Sequence, residues 1–193
     1  MKKLISIALM AMMVLPVFAG KTPKNWNFVL NDDAECIVER SYPTDKDGVA
    51  AIKAVRAAMN RQTFDFISVL SEEPGKSIVY QVKKNTKSRY NPFAGMFQES
   101  MDFKLTATFE DGKVNIHVAE LMLQNVYAGF GAKVQSDSFV SKIEAYNEAE
   151  KASATAKGKA KKEALETMED VNESLNGCQE ELDKILDGFS KGL

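Results

Sequence analysis

Phe103-Lys104-Leu105-Thr106-Ala107-Thr108-Phe109-Glu110-Asp111-Gly112-Lys113-Val114-Asn115-Ile116-His117-Val118 is the stretch that decides the fold of this chain. Phe103, Leu105, Ala107 and Phe109 alternate with Lys104, Thr106 and Thr108, and Val114, Ile116 and Val118 alternate with Asn115 and His117. One apolar and one polar phase with a period of two is the pattern of antiparallel strands buried on a single face. Asp111-Gly112 between them supplies the positive φ angles of a tight hairpin turn.

Upstream, Ile78, Tyr80 and Val82 repeat the alternation, and Thr63 to Leu70 is rich in aromatic and β-branched residues, ended by the turn Glu73-Pro74-Gly75-Lys76. Before these, Thr44 with Asp47 three residues on resembles a capping box, and Val49, Ile52, Val55 and Met59 form one helical stripe. Strand signals at Asn27–Leu30 and Cys36–Glu39 flank the turn-like Asn31–Asp33, after a polar stretch, residues 20–26, that reads as a flexible lead-in.

Downstream, Asp137 or Ser138 can cap a helix whose Phe139, Val140, Ile143 and Tyr146 would fill a curved sheet. Residues 151–162 then carry five lysines, and residues 163–187 carry nine carboxylates and one lysine. Met168, Val171, Leu175, Cys178, Leu182, Ile185 and Phe189 run through the acidic part at heptad spacing. One helix from Asp137 to Leu175 would be about 58 Å long. The expectation is therefore an extension, residues 147–193, that projects or folds back at Asn176–Gly177. Its seam would pair within the chain or with a second copy.

The order β-α-β-β-β-β-α resembles a family of exported bacterial domains of unknown function with a TATA-binding-protein-like, helix-grip fold. The segments that carry the resemblance are the helix after Ser41-Tyr42-Pro43, the Phe64–Val82 hairpin with Pro74-Gly75, the Phe103–Val118 hairpin with Asp111-Gly112, and the helix starting near Asp137. The resemblance implies an α+β fold over residues 20–146, a curved antiparallel sheet gripping a long C-terminal helix. It carries over no functional residue and no DNA binding, because fold does not set function.

Lys2 and Lys3, the apolar run Leu4–Ala19 and the small residues before Gly20 read as a cleaved export signal, residues 1–19. The run is short of the roughly 20 residues that span a bilayer. Export places the protein in the periplasm or outside the cell, with no stable membrane anchor. Without the signal, 23 basic residues face 27 acidic ones, a net charge of −4. That balance disfavours nucleic acid, which selects a basic face. In an oxidising compartment Cys36 and Cys178 could bridge, or stay as two buried thiols; the spacing leaves both open.

Catalytic signatures are weak. His117 is the chain's one histidine, so a hydrolytic triad would have to use it and an imidazole metal site would have one ligand; on the polar phase of its strand it reads as a solvent-facing residue. Asp45-Lys46-Asp47-Gly48 is a fragment of a calcium loop and is better read as helix capping. Gly129-Phe130-Gly131 is too short to cradle phosphate and reads as a bend. No catalytic residue, metal or cofactor is assigned. Lys83 to Phe97 reads as a long loop in which Lys84, Lys87, Arg89, Tyr90, Phe93 and Phe97 place cations beside aromatics, suited to an envelope protein or an acidic glycan. The functional expectation is an exported, non-enzymatic binding or assembly module. The alternative is a small hydrolase or ligand-binding protein using a cleft between sheet and helix.

Overall fold

The computed structural model describes residues 22–91, 95–128 and 133–193, and its sheet grows out from the expected hairpin turn. Asp111 and Gly112 both have positive φ, 51° and 71°. They join β4 (Gly95–Glu110) to β5 (Lys113–Ala128). Before them come β1 (Val38–Pro43), α1 (Gly48–Asn60), β2 (Phe66–Glu73) and β3 (Ser77–Asn91). After them come β6 (Lys133–Ser138), α2 (Phe139–Thr155) and α3 (Gly158–Ser190). Every pairing is antiparallel, in the order β2-β3-β4-β5, and the outer edge of β5 is shared by β1 beside its first half and β6 beside its second. The class is α+β, a curved antiparallel sheet gripping the C-terminal helix.

The alternation works as the sequence implies. Ile78, Tyr80, Val82, Phe103, Leu105, Ala107, Val114, Ile116 and Val118 are buried on the helix side, where Ile52, Val55 and Met59 of α1 join them. Val49, counted in the same stripe, is 65% exposed at the start of the helix. Asp47 rather than Thr44 caps α1, its carboxylate accepting from the Ala50 N–H. The Thr44 hydroxyl instead donates to the Leu193 carbonyl. Gly48 sits so close to the Gly75 carbonyl oxygen that an added Cβ would overlap it. Gly48→Ala is expected to force the backbone apart and lower the melting temperature by several degrees, measured by thermal unfolding.

The helical end differs most from the sequence reading. The break lies at Ala156–Lys157, and α3 runs unbroken through Asn176 and Gly177. Val171, Leu175, Cys178, Leu182, Ile185 and Phe189 are buried in the same cluster as the sheet's apolar face. Of the two partners expected for the seam, one within the chain and one a second copy, it takes the first, the chain's own sheet, and the charges of α3 form its outer side. The start of the region is as expected. Ser138 caps α2 by accepting from the Ser141 N–H, and α2 folds back along α3.

The lead-in is a strap. Trp26 is 3% exposed, its ring edge-on to Tyr146, and Phe28 meets Phe139 in the same way. Three α3 side chains stitch the strap in place. Asn172 Oδ1 accepts from the Trp26 indole N–H at 2.9 Å, Asn176 Oδ1 accepts from the Asn25 backbone N–H, and Gln179 Oε1 accepts from the Asn27 backbone N–H. Asn172 and Asn176 also donate to the Thr22 and Pro23 carbonyls. Amides spaced along one helix face thereby serve as the partner that an extended backbone would find in a strand.

Cys36 and Cys178 are both buried and free. Burial pushes the Cys36 thiol up to about 11 and raises Cys178 as well. A thiol held protonated in the fold loses more on ionising than it does in the unfolded chain. Stability should therefore fall as pH rises from 9 towards 11. Chemical denaturation at a series of pH values is expected to show this decline, with a smaller slope in Cys36→Ala.

Candidate functional site

One-residue counting from the hairpin turn sets the register of β4 and β5, and its failure builds the site. Glu110 pairs with Lys113 and the rule holds to Lys104 with Ala119; then Asp102 pairs with Met122. The extra residue makes a β-bulge at Glu120, whose φ of 55° puts a non-glycine residue in left-handed geometry. A slip of one reverses which residues face the core. Leu121 and Leu123 therefore continue the buried row that Val118 leaves, and Met122 and Gln124 turn to the helix-free face.

At the same place the edge of β5 changes partner. β1 pairing begins at Val38 with Val118, and β6 pairing ends at Ser138 with Met122. Ala119, Glu120 and Leu121 lie between, paired with neither strand. A groove of about 690 Å³ opens over this gap. Its apolar wall includes Cys36, Ile37, Met122 and Val140, and its polar lining includes Gln81, Asp102, His117, Glu120 and Gln124.

The polar floor is a ladder across three strands. Gln81 Nε2 donates to Asp102 Oδ1, Gln124 Nε2 donates to Asp102 Oδ2 at 3.4 Å, and Lys83 Nζ donates to Gln124 Oε1 at 2.7 Å. Beside it, Lys104 pairs with Glu120 at 2.8 Å and His117 Nδ1 lies 3.0 Å from Glu39. These contacts fix the amides and the carboxylate in place before any ligand arrives, which lowers the entropy cost of binding.

The Cys36 thiol, pushed up to about 11, is protonated at neutral pH and so a weak nucleophile. The Ser138 oxygen serves as the cap of α2, accepting from the Ser141 N–H. Among the described residues no group of three or more His, Cys, Asp or Glu side chains could hold a metal ion. The sheet–helix interface, where the alternative reading placed a cleft, is filled: Phe103, Leu105, Leu175, Leu182 and Phe189 are all fully buried.

The segment expected to be a binding loop is strand. Lys84, Lys87, Arg89 and Tyr90 belong to β3 and Phe97 to β4, with Arg89 opposite Phe97 in register; Phe93 lies outside the described residues. Lys84 reaches back under the sheet, its ammonium 2.8 Å from the Thr63 carbonyl and 3.4 Å from Glu181 of α3. That cation holds the helix to the sheet. The bend expected at Gly129–Gly131 and the export signal, residues 1–19, also lie outside the described residues. No helix among the described residues is long and apolar enough to cross a membrane.

Gln81, Asp102, Glu120 and Gln124 were not legible as a site. Gln81, Asp102 and Gln124 are polar residues on the solvent phase of their strands; the β3–β4 register sets the first two side by side, and the bulge turns Gln124 to join them. No protein-family model matches the chain, and no curated protein matches it. Among solved structures it is similar to a TBP-like protein from Parabacteroides distasonis, at 13% identity and a TM-score of 0.47, over 84% of this chain and 97% of that one. It is also similar to a DUF4468 family protein from Bacteroides ovatus, at 10% identity and a TM-score of 0.44, over 83% of this chain and 90% of that one.

Proposed function

We propose that the chain is an exported, non-enzymatic binding module of the bacterial envelope, and that the groove at the β5 bulge holds a neutral, hydroxyl-bearing ligand such as a glycan. The observation that carries this reading is the fixed Gln81–Asp102–Gln124 ladder beside three residues of β5 whose outer edge pairs with neither β1 nor β6. The carboxylate accepts from hydroxyls, the amides both accept from and donate to them, and the apolar wall suits the face of a sugar ring. Glu35, Asp102 and Glu120 line the same groove, so an acidic glycan would meet repulsion there. Export rests on the first nineteen residues.

The test is a screen of the folded protein against neutral and acidic oligosaccharides, followed by titration. A neutral sugar is expected to bind, and Asp102→Ala is expected to weaken it roughly tenfold or more while the fold survives, as thermal unfolding would report. Absence of any bound sugar, or undiminished binding by Asp102→Ala, would overturn the reading.

Assembly with an envelope protein is a second reading, favoured by β2. This edge strand leaves Phe66, Val69 and Leu70 about half exposed, and its outer backbone has no strand partner among the described residues. An apolar edge segment such as Phe66–Leu70, uncharged until Glu72 and Glu73 at the strand's end, accepts a further strand. Leu70→Lys is expected to abolish such capture while changing stability by less than about 0.5 kcal/mol. Chemical cross-linking in the envelope, read by mass spectrometry, would show whether a partner is lost.

A further inference from the structure

We propose that the tip of the α2–α3 hairpin docks the protein on an anionic phospholipid surface. Lys151 near the end of α2, Lys157 in the turn, and Lys159, Lys161 and Lys162 in the first turns of α3 are all exposed. Lys159 and Lys162 touch Glu163 and Glu166 only at 3.4 and 3.5 Å, and their side chains stay 90% and 77% exposed. Lys151, Lys157 and Lys161 have no ion-pair partner among the described residues.

The shape selects the partner. A Cβ added at Gly158 would meet nothing within 4 Å, so the tip is convex and has no cradle for a single phosphate. Its charges point outward and suit an extended array. Residues 147–163 contain no aromatic side chain and no apolar one larger than alanine. The tip can therefore neither insert into a bilayer nor stack on unpaired bases, and it binds by charge alone. The remainder of α3, with nine carboxylates between residues 163 and 187, is repelled by the same surface. Attraction at one end and repulsion along the shaft orient the molecule tip-first. α2 spans 17 residues from Ser138 at the groove, which puts the groove about 25 Å from the surface and open to solvent.

The experiment is co-sedimentation of the folded protein with vesicles of phosphatidylcholine, with and without about a third phosphatidylglycerol, over rising salt. Binding is expected only to the anionic vesicles and should vanish at high salt. The variant Lys157→Gln/Lys159→Gln/Lys161→Gln/Lys162→Gln is expected to lower partitioning at least tenfold. A control of equal net charge, Lys53→Gln/Lys76→Gln/Lys113→Gln/Lys191→Gln, should lower it no more than twofold. Equal loss in both variants, equal binding to both vesicles, no binding to either, or tighter binding to a single-stranded oligonucleotide would each overturn the proposal.

Discussion

Leu182→Ala is expected to cost about 2–5 kcal/mol of folding stability, as large a loss as any core truncation brings. Leu182 is fully buried between neighbours one turn away on α3, Cys178 and Leu186, and the sheet's apolar face. Removing three carbons there forfeits transfer free energy and leaves a cavity that a close-packed sheet and helix cannot collapse. An exposed seam residue of a solvated extension would cost only tenths of a kcal/mol. Urea denaturation of the two proteins side by side measures the difference. A loss below about 0.5 kcal/mol would return α3 to the status of an appendage.

Trp26→Ala is the second large effect, expected at about 3–5 kcal/mol. The indole packs edge-on to Tyr146, with ring centroids 5.2 Å apart, and its N–H satisfies Asn172 Oδ1. Asn172 is itself buried, so losing the donor leaves an unpaired amide oxygen as well as a cavity. Trp26→Phe separates the two contributions. It keeps most of the ring packing and is expected to cost about 1–3 kcal/mol, the desolvation penalty of the orphaned oxygen. Hydrogen exchange at the Asn25 and Asn27 amides, which donate to Asn176 and Gln179 when the strap is seated, reports its seating in each variant. Surface ion pairs should matter far less. Arg40 bridges Asp183 and Asp187 at 2.6 and 2.9 Å, but all three side chains are more than a third exposed, and such pairs contribute about 1 kcal/mol or less.

The sheet was legible where local chemistry dictates it. Asp111-Gly112 requires a tight turn, and the alternation on either side chooses the buried face. The stripe of α1 was legible for the same reason, except that Val49 falls outside the sheet's cover. Other parts depended on long-range packing. β3 and β4 extend beyond their alternating cores into Lys83–Asn91 and Gly95–Glu99, whose polar and aromatic mixture resembles a loop until the strands are laid side by side. β6 has a single apolar residue, Val134, and it is 66% exposed, so no periodicity announces it. The acidic helix looked solvated because its charges outnumber its apolar residues, yet one stripe at heptad spacing is enough to face a sheet. Glu120 is the limiting case. Nothing in its neighbourhood marks a left-handed residue, and the bulge it makes sets the register, the core row and the groove together.

Native-state hydrogen exchange of the intact protein tests most directly the claim that α3 and the sheet form one cooperative core beneath an exposed polar groove. Amides of Leu175 to Phe189 in α3 are expected to exchange only through global opening, with the same free energy as those of Phe103 to Phe109 in β4. If the α3 amides exchange through a much cheaper local opening while β4 stays protected, the sheet stands without its helix and the account is wrong.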